Sequence, residues 1–412
     1  MPHIVIIGAG VTGVTTAYAL LERGYDVTVV ERNRYPSMET SFANGGQLSA
    51  SNAEVWNHWS TVLKGLKWLM RPDAPLSVNL TPNWHKYSWF AEFIANIPHY
   101  RENTIETTRL AIAARQHMLA IAEREGIDFD HVRRGILHIC WDKAGFDHAT
   151  MVNGLLEQGG LDRRPVTPAE IHSIEPALRG DFYGGFYTQS DSTGDIHAFV
   201  SGLAKACERK GARFIFNATV DSVAHGKPIR VTYSQAANGS GGRNDITADG
   251  VVVCAGCDSR RIARMFGDRV NIYPVKGYSI SITLDDEPSR AEAPWVSILD
   301  DRAKFVSSRL GEKRLRVAGT AEFNGFNRDI RYDRIKPLID WTLTLFPRIE
   351  TRSVVSWAGL RPMMPNMMPK VGRGGKLGVF YNTGHGHLGW TLCAATAQIL
   401  ADTVATDLPG GG

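Results

Sequence analysis

The chain has 412 residues, 43% of them hydrophobic, and its 46 basic and 42 acidic side chains leave a net charge of +4. That length exceeds one compact core and predicts two domains, in series or interleaved. Near-balanced charge, with no long basic block interleaved with aromatics, argues against nucleic acid as a partner; five scattered cysteines fit a reducing compartment, the cytoplasm by default, better than a disulfide scaffold.

Only Met1-Pro2-His3 precedes the first expected strand, Ile4 to Ile7, so a signal peptide is not expected, nor is a membrane span, since no sufficiently long apolar run occurs. That strand runs into Gly8-Ala9-Gly10-Val11-Thr12-Gly13, a helix-like stretch, a second strand Tyr25 to Val30, and Glu31. This is the pattern of a dinucleotide-binding βαβ unit. Gly8 permits the tight turn, Gly10 lets backbone approach a pyrophosphate, and Gly13 allows close helix packing. The helix N-terminus then faces the phosphates, and the Glu31 carboxylate can accept hydrogen bonds from an adenosine ribose.

Thr40 to Ser49 is rich in small and amide residues, and Ser41, Asn44, Gly45, Gly46 and Gln47 could lie along a cofactor or simply form a solvent loop. Between Val55 and Ile97, Trp56, Trp59, Leu63, Leu66, Trp68, Leu69, Met70, Trp84, Trp89, Phe90 and Phe93 mix with Lys64, Lys67, Arg71 and Lys86. Two readings compete: an interfacial segment touching lipid, or aromatics that line a pocket and pack a second domain.

Helix-forming sequence dominates from Trp56 to Gly126, leaving the nucleotide fold. Strands are expected at Gly135 to Trp141 and Gly184 to Thr188, with a helix from Asp195 to Arg209. Ala212 to Phe216 and Ala218 to Val223 read as strands rejoining the nucleotide sheet, and Gln235 to Asn244 as a surface excursion. Gly250 to Gly256 reads as a buried parallel strand. Short β-rich stretches from Val275 to Val317 predict a second, mainly antiparallel sheet as substrate platform.

Cys254-Ala255-Gly256-Cys257 has dithiol spacing but the wrong setting, a buried strand end, and no ligand-spaced pairs predict a metal site. In Ala358 to Pro365, Arg361 is the best carboxylate clamp of the chain, because a guanidinium meets a carboxylate in two parallel hydrogen bonds. Leu377 to Asn382, then Gly384-His385-Gly386-His387-Leu388-Gly389 and a helix from Trp390, repeat the strand, turn and helix arrangement. Such a helix N-terminus would stabilise negative charge on a reduced flavin, or the glycines form a structural turn.

Together, the N-terminal fingerprint, Glu39 to Gln47, Tyr273-Pro274-Val275-Lys276-Gly277-Tyr278-Ser279, Gly359-Leu360-Arg361-Pro362, and Asn382 to Gly386 with Leu388-Gly389-Trp390-Thr391 resemble the bacterial D-amino acid dehydrogenase family of the D-amino acid oxidase superfamily, from residue 2 to about 405. The resemblance implies an α/β fold: a Rossmann-like FAD-binding domain (1–55, 195–265, 355–405) interleaved with a mixed-sheet α+β substrate domain (56–194, 266–354), and a flexible tail at 406–412. It implies non-covalent FAD held by Gly8, Gly10, Val11, Thr12, Gly13, Glu31, Arg32, Ser41 to Leu48 (Asn44, Gly45, Gly46, Gln47 and Leu48 among them), Val220 at the adenine, Gly256, and Gly384, Gly386, His387, Leu388, Gly389, Trp390 and Thr391.

Arg361, Tyr278 and His387 become the implied catalytic set, His387 departing from the small hydroxyl residue more usual there. The implied activity is oxidative deamination of D-amino acids by hydride transfer from Cα to flavin N5, with electrons passed to quinone or another acceptor. Secondary amino acids (D-hydroxyproline, sarcosine, glycine) are an alternative, as is the role of flavin subunit in a hetero-oligomeric electron-transfer complex; a nicotinamide dehydrogenase is more remote. Homo- or hetero-oligomerisation and peripheral contact with the inner face of the cell membrane complete the expected partners.

Overall fold

The computed structural model describes residues 1–68, 76–235 and 242–409, without the side chains of 66–68. Leu66 to Arg71 of the aromatic segment, the centre of the Gln235 to Asn244 excursion and the Gly410-Gly411-Gly412 tail therefore fall wholly or partly outside the described residues.

Two large sheets organise the chain. The first has six strands in the spatial order Lys370–Arg373, Val379–Thr383, Gly250–Val253, His3–Ile7, Asp26–Val30, Arg213–Ile215. All neighbours run parallel except the first pair. Ile4, Val5, Ile6, Val251, Val252 and Val253 are wholly buried, as parallel strands covered on both faces must be. Helices Val11–Leu21, Ile196–Arg209 and Gly389–Asp407 share one core on one face of this sheet.

The second sheet has Val354–Met363 at one edge, then Tyr273–Thr283, Arg314–Phe323, Phe305–Leu310, Ser297–Asp300, Ile136–Cys140, Gly184–Thr188 and Arg164–Val166, with Leu76–Val78 added parallel to Arg314–Phe323. It is mixed, since Ser297–Asp300 and Ile136–Cys140 run parallel. Helix Tyr332–Leu345 covers one of its faces through Ile335, Leu338, Trp341 and Leu345.

Three expectations change. Strand Val354–Met363, which carries Arg361, belongs to the second sheet, paired along Tyr273–Thr283, and not to the nucleotide-binding part. Only Arg213–Ile215 rejoins the first sheet; Ala218–Ala224 instead opens a separate antiparallel layer with Ile229–Gln235 and Gly242–Ala248. Helix Tyr100–Glu125 does not leave the nucleotide fold, because Met118, Ile121 and Ala122 enter the core formed by the helices on the first sheet. The aromatic segment divides: Trp89 and Phe93 are buried, whereas Trp59 and Trp84 are exposed.

Candidate active site

A single cavity of about 1050 Å3 runs from the first sheet to the second. It matches or exceeds the upper end of ordinary ligand pockets, about 300–1,000 Å3, so it accommodates an extended ligand and a second molecule.

At its first end the glycine fingerprint acts by three different steric devices. Gly8 has φ +106°, and a Cβ there would meet the Cys254 carbonyl oxygen at 2.6 Å. A Cβ on Gly13 would overlap the Gly8 carbonyl oxygen, so this glycine brings helix and strand together. At Gly10 the nearest protein atom to a Cβ is Ser41 Oγ at 3.6 Å; the space above this backbone is left to the cavity. Helix Val11–Leu21 has no side-chain cap at its Gly10 N-cap, although the Val11 amide donates to Ser41 Oγ at 3.1 Å. Its remaining first-turn amides suit an anion.

Glu31 is buried at the tip of the second strand and borders the cavity. Its Oε2 accepts from the Ala9 amide at 2.7 Å, and its Oε1 accepts from the Asn33 amide and Asn33 Nδ2, both at 2.8 Å. A carboxylate has about four lone-pair sites, so one remains for a ribose hydroxyl. Burial raises the Glu31 pKa, and these three hydrogen bonds oppose that rise. Arg32 bridges Glu39, at 2.7 Å, and Asp258. Val220 is buried at the same end, its carbonyl held by Arg261 Nη1 at 3.0 Å.

The 40–48 loop passes between the sheets. Ala43 and Gly45 carbonyls accept from Ser279 Oγ and Ser308 Oγ, each at 2.7 Å, and Gln47 Nε2 donates to Ser297 Oγ at 2.8 Å. Asn44 Oδ1 caps the Gly46 amide at 2.9 Å. Opposite, Gly384 and Gly386 adopt φ +77° and +58°, turning the chain so that Leu388, Gly389, Trp390 and Thr391 present the uncapped start of helix Gly389–Asp407 to the cavity. Gly256, φ +52°, lines the wall between.

Arg361 sits where the cavity passes to the second sheet. It lies directly across from Val275, and since side chains alternate along a strand, Val275, Gly277 and Gly359 share its face. The guanidinium lies flat on Gly277, where a Cβ would overlap Cζ and both terminal nitrogens, and Nη1 donates to the Thr320 carbonyl at 2.8 Å. Thr320 itself has φ +59°. Burial alone pushes the Arg361 pKa down, to about 10, which leaves it charged at neutral pH. Among the described residues no carboxylate makes an ion pair with it. A half-buried cation that lines a cavity with no carboxylate partner among the described residues is a site for an anion from outside.

His387 stacks on Trp56, ring centroids 4.7 Å apart, and its Nε2 lies 3.4 Å from the Asn52 carbonyl. Burial, then Arg361, lowers its pKa to about 3, so the imidazole is neutral. Beyond lie Val55, Val78, Phe90, Ala321 and Phe323, an apolar arm.

Three assignments need correction. Tyr278 alternates with Gly277 and so turns to the sheet's other face, where its hydroxyl donates to Glu322 Oε2 at 2.7 Å beside the buried Lys276–Glu322 pair. It borders the cavity without offering its hydroxyl to it. Gly13 and Leu48 stand off the cavity: Gly13 packs helix on strand, and Leu48 is buried in the first core. Sequence reasoning missed the Thr320 carbonyl, the Gly277 bed and the Trp56–His387 stack. Gly277, Trp56 and His387 lay within blocks already singled out, though not as partners; Thr320 did not. All five cysteines are free thiols, Cys254 and Cys257 among them.

Residues 3–403 match the family described as FAD dependent oxidoreductase. The chain belongs to that family. It is 69% identical over 409 residues to "D-amino acid dehydrogenase 3" of Mesorhizobium japonicum, covering 99% of this chain and 98% of the relative. It is 41% identical to the D-amino acid dehydrogenase of Paramagnetospirillum magneticum, covering 98% and 94%. Among solved structures it is similar to glycine oxidase from Geobacillus kaustophilus, with TM-score 0.77, 20% identity and coverage of 100% and 97%. It is also similar to L-proline dehydrogenase from P. horikoshii, with TM-score 0.76, 16% identity and coverage of 98% and 93%. These two share the fold. The FAD of the family fits the glycine cradle, the free Glu31 lone pair and the two uncapped helix starts.

Proposed function

We propose that the chain is a D-amino acid dehydrogenase, oxidising free D-amino acids to 2-oxo acids and ammonia and passing the electrons to a quinone or similar acceptor. The observation that carries this is Arg361: a charged guanidinium, flat on Gly277 and anchored by Thr320, with no carboxylate partner among the described residues, at the junction of the nucleotide cleft and an apolar arm. The 69% identical relative supports the substrate class.

FAD, held non-covalently, supplies the two-electron acceptor. Arg361 binds the substrate carboxylate in two parallel hydrogen bonds, which fixes orientation as well as position. Gly277 lets the guanidinium lie close to the sheet, and the Thr320 carbonyl holds its Nη1 end, so the fork is oriented before substrate arrives. Neutral His387 adds no second positive charge beside the substrate amine, which must be unprotonated for hydride to leave Cα. The first-turn amides of Gly389, Trp390 and Thr391 offer donors and a positive helix end to charge developing on reduction. Loss of the Cα hydride and one amine proton gives an imino acid; water hydrolyses it to the 2-oxo acid and ammonia. The arm beyond Trp56, lined by Phe90 and Phe323, suits apolar side chains.

The test is turnover of purified flavoprotein with matched D-, L- and N-alkyl amino acids, a water-soluble quinone or oxygen as acceptor, and assay of 2-oxo acid and ammonia. D-specific formation of both products, faster with quinone, is expected. Turnover confined to N-alkyl amino acids would overturn the substrate class.

A further inference from the structure

Three buried polar side chains have no role so far in holding substrate or cofactor. Lys276, Tyr278 and Glu322 are each at most 2% exposed, and by strand alternation they lie on the face of the second sheet turned away from Arg361. Glu322 Oε1 pairs with Lys276 Nζ at 3.2 Å and accepts from Asn324 Nδ2 at 2.9 Å, while its Oε2 accepts from the Tyr278 hydroxyl at 2.7 Å. Lys276 Nζ also donates to Asn327 Oδ1 at 2.6 Å and to the Asp329 carbonyl at 3.1 Å, which uses all three protons of an ammonium. Burial alone would raise the Glu322 pKa, but the bonds from Tyr278 and Asn324 and the Lys276 charge bring it below its ordinary value, so the carboxylate is ionised. A buried ion pair adds little stability over well-packed apolar residues; the strand register gives this one another use.

Between Tyr273–Thr283 and Arg314–Phe323 the register shifts. Lys276 faces Glu322 and Tyr278 faces Gly319, so Thr320 and Ala321 together oppose Gly277. This is a β-bulge, and a bulge residue in left-handed backbone is ordinarily glycine. Here it is Thr320, at φ +59°, and a β-branched residue keeps such a conformation only where its surroundings over-determine it. Glu322 supplies that constraint, because its carboxylate joins Lys276 at one end of the bulge to Tyr278 at the other. The Thr320 carbonyl accepts from Arg361 Nη1, and the guanidinium lies on Gly277, between the two tethered residues.

We propose, on the reading of Arg361 as the carboxylate clamp, that Glu322, Lys276 and Tyr278 are positioning residues for the oxidation. Bridging the bulge from the far face, they fix Gly277 and the Thr320 carbonyl, and through these the angle at which Arg361 meets the substrate carboxylate. Their effect on turnover passes through Arg361.

Tyr278→Phe removes one tether and leaves the ion pair in place, and K276M/E322Q removes both charges together, so neither strands a buried charge. The test is a double-mutant cycle on the holoenzyme. It reads kcat/KM for a D-amino acid with a soluble acceptor and the inhibition constant of propionate as a competing carboxylate, for each variant alone and combined with Arg361→Ala, beside flavin content and the thermal midpoint. With Arg361 present, Tyr278→Phe should lower kcat/KM about tenfold, a fraction of the roughly 100-fold that a 1 Å misplacement costs, and weaken propionate by a similar factor at full flavin content. With Arg361→Ala already made, it should cost about twofold at most, and K276M/E322Q should show the same dependence. An equal loss in both backgrounds would make the network a support of the fold alone and overturns the proposal, as does unchanged kcat/KM in Tyr278→Phe and K276M/E322Q. If Arg361→Ala loses turnover while these variants do not, the clamp reading stands without this network; full turnover in Arg361→Ala overturns both.

Discussion

Replacing Gly277 by alanine separates the clamp from the fold. The added methyl overlaps Arg361 Cζ, Nη1 and Nη2, while the strand conformation of Gly277 admits any residue. The obstructing atoms are the far end of a flexible side chain, so the guanidinium gives way rather than the backbone. Restoring ordinary van der Waals contact at 3.4 Å lifts the planar group by about 1 Å, and a misplacement of that size costs on the order of 100-fold in rate. The assay is kcat/KM for a D-amino acid with a soluble acceptor, alongside flavin content and the thermal midpoint. Expected are a loss near 100-fold, full flavin and an unchanged midpoint. A variant within threefold of wild type, fully flavinylated, would refute placement of the substrate carboxylate on Arg361.

Arg361→Ala removes the charge, and losing one partner of a buried charge pair costs about 2–5 kcal/mol, or roughly 30- to 5,000-fold in kcat/KM; Arg361→Lys should fall between, as flavin absorbance stays intact in both. Gly10→Ala and Gly13→Ala should part company. The first folds but titrates with FAD more weakly because its Cβ enters the cavity, whereas the second drives a methyl onto the Gly8 carbonyl and lowers stability by about 1–3 kcal/mol or more in urea unfolding. Buried His138 and His385, lowered to about 4 and about 3, are neutral in the folded chain yet protonate near pH 6.5 when unfolded. Their contribution is present above pH 6.5 and is lost as pH falls toward 4, by up to about 1.4 kcal/mol per unit for each. Urea midpoints measured across that window should show the decline, and His385→Gln should flatten it. His387, lowered to about 3, should leave kcat/KM without a step between pH 5 and 8; an inflection there that His387→Asn abolishes would contradict its neutrality.

The nucleotide end was legible because each fingerprint glycine answers a steric demand that no other residue meets: Gly8 by φ, Gly13 by helix contact, Gly10 by open space. Arg361 was legible as chemistry but not as position. The resemblance put its segment, 355–405, in the FAD-binding domain, while pairing with Tyr273–Thr283 makes Val354–Met363 the edge strand of the second sheet. Tyr278 was misread because Tyr273–Thr283 is buried on both faces, Val275 on one and Ile280 on the other, so alternation does not tell which face meets the cavity. Ala218–Ala224, by contrast, alternates buried and exposed residues, the mark of a sheet with one wet face, and this could have set it apart from the parallel sheet. The Thr320 carbonyl has no side-chain signature, and Trp56 meets His387 only through tertiary packing.

The most direct measurement is the anaerobic half-reaction. Mixed without any acceptor, the wild-type flavoprotein should lose its visible flavin absorbance with a D-amino acid, releasing one equivalent of 2-oxo acid per flavin, and keep it with the L-enantiomer. The Arg361→Ala protein, equally yellow, should bleach at least tenfold more slowly. Equal bleaching by both enantiomers, or equal rates in the two proteins, would contradict the account.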